Sequence, residues 1–451
     1  SQEVINIVEW CNKRKIPTVF WNKEDPIHFE TFLNTAKLFD FVFTTDIDCI
    51  HRYKAALGHD NVFFLPFACQ PKSSNPIEKY NRKDAFCFAG AYYVKYPDRT
   101  KDLESFVEAL PTYKPLEIYD RNFGKDDPNY MFPEKYHPHI VGTLPFSEID
   151  KAYKGYKYAI NLNSIKQSQT MFARRVYELL ACNTITVSNF SRGVRALFGD
   201  LVQVSDNGSE IVRRLEILAS DELFEGKYRL AGLRKVLSEH TYSARFNYIM
   251  NKVNGTDNKQ PLPSFTVITM VESREQFDSV LRLVSEQTLQ PTRVIAILKE
   301  NSLNKSVSGF KNDFKGDVNF ISLLEAQGRK LKCIKNHHDW VAFFDTQDYY
   351  GPNYLMDIAL STRYSSARAI GKSSYFIAND EGIVLQNKNS AYKVNYPLSV
   401  RRCALSSSFN EIPLFKIIED SLNLRGLSID SYNYCRDGLN TKSSRTALSA
   451  V

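Results

Sequence analysis

Eight cysteines are spread over 451 residues, at positions 11, 49, 69, 87, 182, 333, 403 and 435, and no two of them form a CxxC pair. Their spacing excludes the common zinc-ligand patterns and the thioredoxin-type redox motif. Those in apolar contexts, such as Phe86-Cys87-Phe88, read as reduced, buried thiols, which favours a cytoplasmic setting. No run of eighteen apolar residues occurs, so no segment has the sequence of a membrane-spanning helix. The first residues, Ser1-Gln2-Glu3-Val4, lack the basic-then-apolar pattern of a secretory leader. They also lack Met, so a processed product or an excerpt of a longer chain is expected. Lys/Arg-rich runs and nucleic-acid motifs are missing too, which argues against a nucleic-acid partner.

What is present suits packed domains. Hydrophobic residues make up 43% of the chain, too many for disorder. The length suggests about two to four domains. A net charge of +7 suits anionic ligands: nucleotide diphosphates, anionic glycopolymers or the inner membrane face, where peripheral association is one expected setting. The 25 Tyr and 30 Phe serve mostly as core, although carbohydrate sites also favour aromatic faces.

Strand and helix patterns alternate from the start. Residues 3–14 have helical periodicity, and Pro17–Trp21 has the pattern of a buried strand. A helix over Phe29–Leu38, a strand over Phe41–Thr45, a helix over Ile50–Leu57 and a strand over Asn61–Leu65 follow. Turn residues cluster at Gln70–Pro76. A second series has strands at Ala85–Ala89, Leu116–Tyr119, Tyr158–Leu162, Thr184–Ser188 and Leu201–Val204. It closes with helices around Tyr228–Ser238 and Ala244–Val253. Such alternation predicts α/β folding with doubly wound, Rossmann-like parallel sheets. Asn254–Pro261 is a boundary, and the pattern restarts with strands at Ser264–Thr269 and Arg293–Leu298 around a helix at Arg274–Gln287.

The stretch Arg174-Arg175-Val176-Tyr177-Glu178-Leu179-Leu180-Ala181-Cys182-Asn183-Thr184-Ile185-Thr186-Val187 is a helix running into a buried strand. It resembles the donor-site helix of GT-B glycosyltransferases. With Leu197-Phe198-Gly199-Asp200 and Glu239–Arg245, it resembles the bacterial CgeB-like, spore-maturation branch. The resemblance covers most of residues 1–250. It implies that Glu178 accepts hydrogen bonds from the ribose hydroxyls of a nucleotide sugar, since a carboxylate offers two acceptor oxygens to a diol. The family's usual Gly and Pro are Asn183 and Ile185, and a second Glu of many retaining members is Thr170. The plain alternative is an amphipathic helix with a solvated Glu. Only about three strands precede residue 70, fewer than an N-terminal GT-B domain usually has. Its first half is therefore expected to lie outside this chain.

Farther on, Trp340-Val341-Ala342-Phe343-Phe344-Asp345-Thr346-Gln347-Asp348 resembles the GT-A fold of the large inverting glycosyltransferase family, over roughly 263–440. There an apolar strand ends in Asp-x-Asp-Asp. The expected division is a partial N-terminal GT-B domain at 1–70, a linker at 71–83 and a nucleotide-sugar-binding domain at 84–253. A linker at 254–262, a GT-A-like domain at 263–440 and a tail at 441–451 complete it.

Candidate residues follow from these placements. Gly90 ends a strand and would let backbone N–H groups approach a phosphate, or would simply make a turn. Lys95, Arg99, Arg174 and Arg175 are the cations for a diphosphate, against the alternative of solvated surface charge. Asn161 and Asn163 alternate toward one face, with ligand binding or capping as their roles. Asp25, with Glu24 and His28 nearby, lies beyond a strand and is a candidate base, or a helix cap. His137 and His139 are loop residues with an acceptor contact as the minor reading. In the GT-A-like part Asp345 and Asp348 are the candidate Mg²⁺ or Mn²⁺ ligands, but Gln347 replaces the intervening Asp, a thin set for a hard cation. Asp420, beside Glu419, matches the place of that family's general base.

The resemblances imply a hexosyltransferase that passes sugar from a UDP-sugar to a cell-surface glycan or its lipid-linked precursor. Its GT-B portion needs no cofactor. Alternatives are a teichoic-acid-type polyol-phosphate transferase and a non-catalytic glycan- or nucleotide-binding assembly factor.

Overall fold

Short apolar strands alternating with helices build the first of two compact units, Ser1–Gln260; the second is Pro261–Val451. The computed structural model describes residues 1–257, 261–299, 314–336 and 338–439. The expected tail at 441–451 and part of the 254–262 linker lie outside the described residues.

The first unit opens with α1 (Gln2–Lys13), β1 (Val19–Asn22), α2 (Phe29–Ala36), β2 (Phe41–Thr44), α3 (Cys49–Leu57) and β3 (Val62–Phe64). The strands form a parallel sheet in the order β1-β2-β3, with Val19 opposite Phe41 and Val42 opposite Val62. Phe29, Val42, Tyr53 and Val62 make its core.

Next come β4 (Lys83–Gly90), α4 (Pro97–Ala109), β5 (Leu116–Asp120), β6 (Ile140–Gly142), α5 (Asp150–Lys154), β7 (Tyr156–Asn161) and α6 (Arg175–Ala181). The series ends with β8 (Ile185–Ser188), α7 (Arg192–Phe198), β9 (Gln203–Val204), α8 (Gly208–Ala219), α9 (Glu222–Glu239) and α10 (Tyr242–Asn254). Its six strands are all parallel, in the order β6-β5-β4-β7-β8-β9. From β4 the chain winds first to one side and then to the other. The crevice between the carboxyl ends of β4 and β7 is therefore a topological switch point, where open parallel sheets bind ligands. β6 was not legible as a strand; it has three residues and none is fully buried.

Helix α6 shows why its sequence folds as it does. Val176, Tyr177, Leu179, Leu180 and Ala181 are buried, which leaves Arg174, Arg175 and Glu178 on the open side. Asn183, where the resembled family has Gly, adopts φ 57° just past the helix end. Asn tolerates this left-handed conformation better than most residues, so the turn survives the exchange.

Helix α10 returns to the first sheet. Tyr248 packs edge-on against Phe43, Lys252 lies over the Phe63 ring, and Arg245 donates to the carbonyls of Pro66 and Phe67. A second tie joins the two sheets. Thr170 Oγ1 donates to the Thr45 carbonyl (3.0 Å) and accepts from the Ile47 N–H (3.0 Å), while Ser168 donates to Asp46. Thr170 thus serves as a joint at the position where many retaining members of the resembled family have Glu. Gly193 is required beside it, because a Cβ there would meet the Phe172 ring at 2.9 Å and the Thr170 backbone at 3.1 Å.

In the second unit the strands are β10 (Phe265–Val271), β11 (Arg293–Leu298), β12 (Asp317–Ser322), β13 (Trp340–Phe343), β14 (Tyr349–Tyr350) and β15 (Ala369–Gly371). The rest are β16 (Tyr375–Asn379), β17 (Gly382–Gln386), β18 (Tyr396–Leu398), β19 (Cys403–Leu405), β20 (Leu424–Ser428) and β21 (Tyr434–Arg436). The larger sheet runs β12-β11-β10-β13-β19-β15-β20-β18, parallel through its first four strands and antiparallel at β19. A four-stranded sheet, β14-β21-β16-β17, adjoins it. The mixed sheet and the β16–β17 hairpin go beyond the expected parallel pattern, since residues 375–386 have no clear alternation to announce them.

Candidate functional site

Glu178 sits in the first turn of α6 with its side chain 16% exposed. It accepts from Arg174 Nε at 2.8 Å, one turn earlier on the same face. Arg174 is half exposed, so this ion pair is open to exchange with solvent or ligand. Two phenols complete the surroundings: Tyr153 lies in the field of Arg175 and Glu178, and Tyr242 in that of Arg174 and Glu178. Glu178 therefore keeps acceptor capacity beside a hydroxyl-rich, cationic wall.

Three guanidiniums come within one another's field, with Arg175 and Arg121 both acting on Arg99. Arg99 comes from the first turn of α4, Arg121 directly follows β5, and Arg175 begins α6. Arg99 is buried, donates to the Ala91 carbonyl at 3.2 Å and lies 4.7 Å from the centre of the Tyr93 ring. Burial, and then the like charges of Arg175 and Arg121, push its pKa down to about 10. The Nε of Arg175 is buried without a hydrogen-bond partner. Asp102, an acid on the same helix as Arg99, is already held by Lys166 (2.6 Å) and by the Asn189 amide (2.8 Å). Like charges gathered in this way make the local potential positive.

Of the four cations expected for a diphosphate, Arg99 and Arg175 meet here. Arg174 turns to Glu178. Lys95 is exposed and lies over the Tyr96 ring. Gly90 is corrected. The space where its Cβ would stand is filled by the Phe88 ring at 2.7 Å, so its smallness serves packing. Asn163 is not free for a ligand. Its amide donates to Ser188 and Asn189, and its oxygen accepts from the Ala173 N–H. Asn161 donates to the same Ser188 hydroxyl, so the two amides do share a face.

Asp25 is corrected from candidate base to internal tie. It is 0% exposed and accepts from Asn22 (2.8 Å), Thr44 (2.6 Å) and Tyr53 (3.2 Å). Burial raises its pKa to about 6 against those hydrogen bonds. It caps no helix either, because α2 starts after His28, which makes no side-chain cap bond. Glu24 and His137 are exposed and His139 is half-buried.

In the second unit Asp345 and Asp348 do come together, but around a guanidinium. Arg401 donates to both oxygens of Asp348, from Nη2 at 2.7 Å and from Nε at 3.1 Å, and its Nη2 lies 3.2 Å from Asp345. Asp348 is fully enclosed and also accepts from Tyr434 and from the Asp437 N–H. This is a poor fit to a divalent ion, which needs free oxygen lone pairs. Asp420 is exposed, and its oxygens accept from Ser399 Oγ (2.6 Å) and the Val400 N–H (2.8 Å), capping the turn before β19.

Sequence reasoning missed Arg121, Tyr153, Tyr242 and Arg401. Arg121 had a usable signal, since it directly follows a strand whose carboxyl end faces the crevice.

This geometry lies inside a recognisable segment. Residues 99–251 match the model of a family described as glycosyl transferase-like. Arg99, Arg121, Tyr153, Arg174, Arg175, Glu178 and Tyr242 all belong to this glycosyl transferase-like segment. The spore protein CgeB of Bacillus subtilis is 21% identical over 191 residues, which are 40% of this chain and 58% of that protein. The chain thus spans a little over half of that curated relative. Among solved structures, Anabaena HepE in complex with UDP-glucose is similar at a TM-score of 0.41 and 12% identity, over 56% of this chain and 77% of that one. S. aureus TarM is similar at a TM-score of 0.36 and 10% identity, over 50% of this chain and 46% of that one. Among the described residues no helix is long and apolar enough to cross a membrane.

Proposed function

We propose that the first unit is a glycosyltransferase that binds a nucleotide sugar, a UDP-sugar, and passes the sugar to a bacterial cell-surface glycan or its lipid-linked precursor. The observation that carries this reading is the Arg99–Arg121–Arg175 group, linked to Glu178 through Tyr153, which Arg175 and Glu178 share, all within the glycosyl transferase-like segment. An acceptor hydroxyl attacks the anomeric carbon, the bond to the diphosphate oxygen breaks, the departing nucleotide carries the new negative charge, and the hydroxyl proton passes to the departing diphosphate oxygen or to water. Guanidiniums placed beforehand stabilise that charge without a metal. Glu178 takes the ribose diol, with Arg174 yielding part of its ion pair. The surface acceptor is in keeping with a relative named as a spore protein, and the net charge of +7 with work on anionic or membrane-linked substrates. For the second unit we propose a GT-A-like scaffolding or glycan-binding role.

The test is turnover with a panel of nucleotide sugars, scored as released nucleotide. Release with a UDP-sugar, lost in Arg175→Ala, supports the reading. Tight UDP binding with no release from any sugar or acceptor would favour a second reading, a nucleotide-sugar-binding assembly factor. The enclosure of Asp25, which removes the nearest candidate base, favours that alternative.

A further inference from the structure

We infer that Arg401 is a built-in cation that stands where a divalent ion would sit between Asp345 and Asp348, so that the second unit keeps this acid centre without metal. The inference is independent of any transfer reaction in the first unit. Asp348 has about four lone-pair positions and all are taken. Oδ1 accepts from Arg401 Nη2 (2.7 Å) and the Asp437 N–H (2.9 Å), and Oδ2 accepts from Arg401 Nε (3.1 Å) and Tyr434 Oη (2.7 Å). The same Nη2 reaches Asp345 at 3.2 Å and Asp437 at 3.8 Å. Asp437 has a second cation in Arg436, at 3.4 Å. Three carboxylates thus share one guanidinium at the centre and one at the edge.

The backbone makes this cation permanent. Tyr350 Oη donates to the Arg401 carbonyl (2.7 Å) and accepts from the Asp345 N–H (3.0 Å), which binds the Arg401 turn to the acid loop. A tethered cation competes at high effective concentration, whereas a free ion would have to displace a bidentate pair from a carboxylate that is itself enclosed. Gln347 fits this arrangement. It is exposed, its N–H donates to Asp345 and its carbonyl accepts from the Leu439 N–H, so it serves by its backbone and no carboxylate is needed there.

The experiment is Mn²⁺ titration of the full chain, followed by the electron paramagnetic resonance of the free ion and by thermal melting. The wild type is expected to show the same Mn²⁺ binding and melting response as Asp348→Asn. Arg401→Met leaves three carboxylates short of their cation. It is expected to melt lower, to recover part of the loss with Mn²⁺, and to bind the ion about tenfold more tightly than wild type. Should Arg401→Met fail to fold, Arg401→Lys keeps a point charge without the fork, and is expected to fold with lowered melting and no gain in Mn²⁺ binding. The inference is overturned if wild type binds one Mn²⁺ that Asp348→Asn loses. It is equally overturned if folded Arg401→Met gains no Mn²⁺ affinity, or if Arg401→Lys melts as wild type does.

Discussion

Glu178 in the first unit and Asp348 in the second are both acids beside an arginine, yet their surroundings differ in kind. Glu178 has one ion-pair partner, supplied from its own helix face and half exposed. Asp348 is sealed, with four donor groups drawn from two segments of chain, Arg401 and Tyr434–Asp437. A carboxylate that serves a ligand must keep lone pairs within reach of it. One whose lone pairs are all taken serves the fold. The same contrast separates the cations. Arg401 is committed to acids, whereas Arg99, Arg121 and Arg175 act on one another as like charges.

The largest expected break in this comparison is Asp348→Ala. It leaves Arg401 half-buried without its main partner and should destabilise the second unit by about 3–5 kcal/mol. Denaturant melting of the full chain measures it, and a loss as small as that of an exposed pair would make Asp348 equivalent to Glu178 in kind.

A pH effect of up to about 3 kcal/mol is expected from Asp25, whose carboxyl is raised to about 6 by burial. A raised carboxyl pKa means that the folded state holds the proton more tightly than the unfolded state. The contribution is therefore full below about pH 4 and is lost as pH rises through 6. Asp25→Asn should flatten the stability profile between these values. An unchanged slope would remove Asp25 from the account.

Arg175→Ala should weaken UDP by about 1.5–3 kcal/mol while leaving uridine almost unaffected. Calorimetry with both ligands decides, and equal losses would indicate a packing defect. Glu178→Gln should weaken both ligands by a similar amount, because both carry the ribose. If neither affinity changes while the fold is intact, Glu178 is a solvated helix residue after all. The smallest effect is on stability. Arg174→Ala should cost about 0–1 kcal/mol, since its ion pair is half exposed. A larger loss in melting would mean that the Glu178 pair is as structural as that of Asp348.

Much of this was legible in the chain. The alternation of apolar strands with amphipathic helices announced the two parallel sheets of the first unit, because burial on both faces leaves continuous apolar runs such as Ala85-Phe86-Cys87-Phe88. The positions of Arg175 and Glu178 on the open face of α6, and of Arg99 in the first turn of the helix after β4, were legible in the same way. Asp25, Asn163 and Gly90 misled for the opposite reason. A polar or small residue at a strand end looks the same in sequence whether it faces a ligand or its own neighbours.

Although β6 and the β16–β17 hairpin could not, most of the strands and helices, the open face of α6 and the charges near strand ends could be read from the chain alone. These follow from periodicity and local chemistry, which need only neighbouring residues. The tertiary structure alone decided which of those charges meet. Arg99, Arg121 and Arg175 lie on three different connections, and Arg401 is 53 residues from Asp348. Whether a carboxylate ends up open or sealed depends on donors that arrive from distant parts of the chain, and only the folded backbone brings them within hydrogen-bond range.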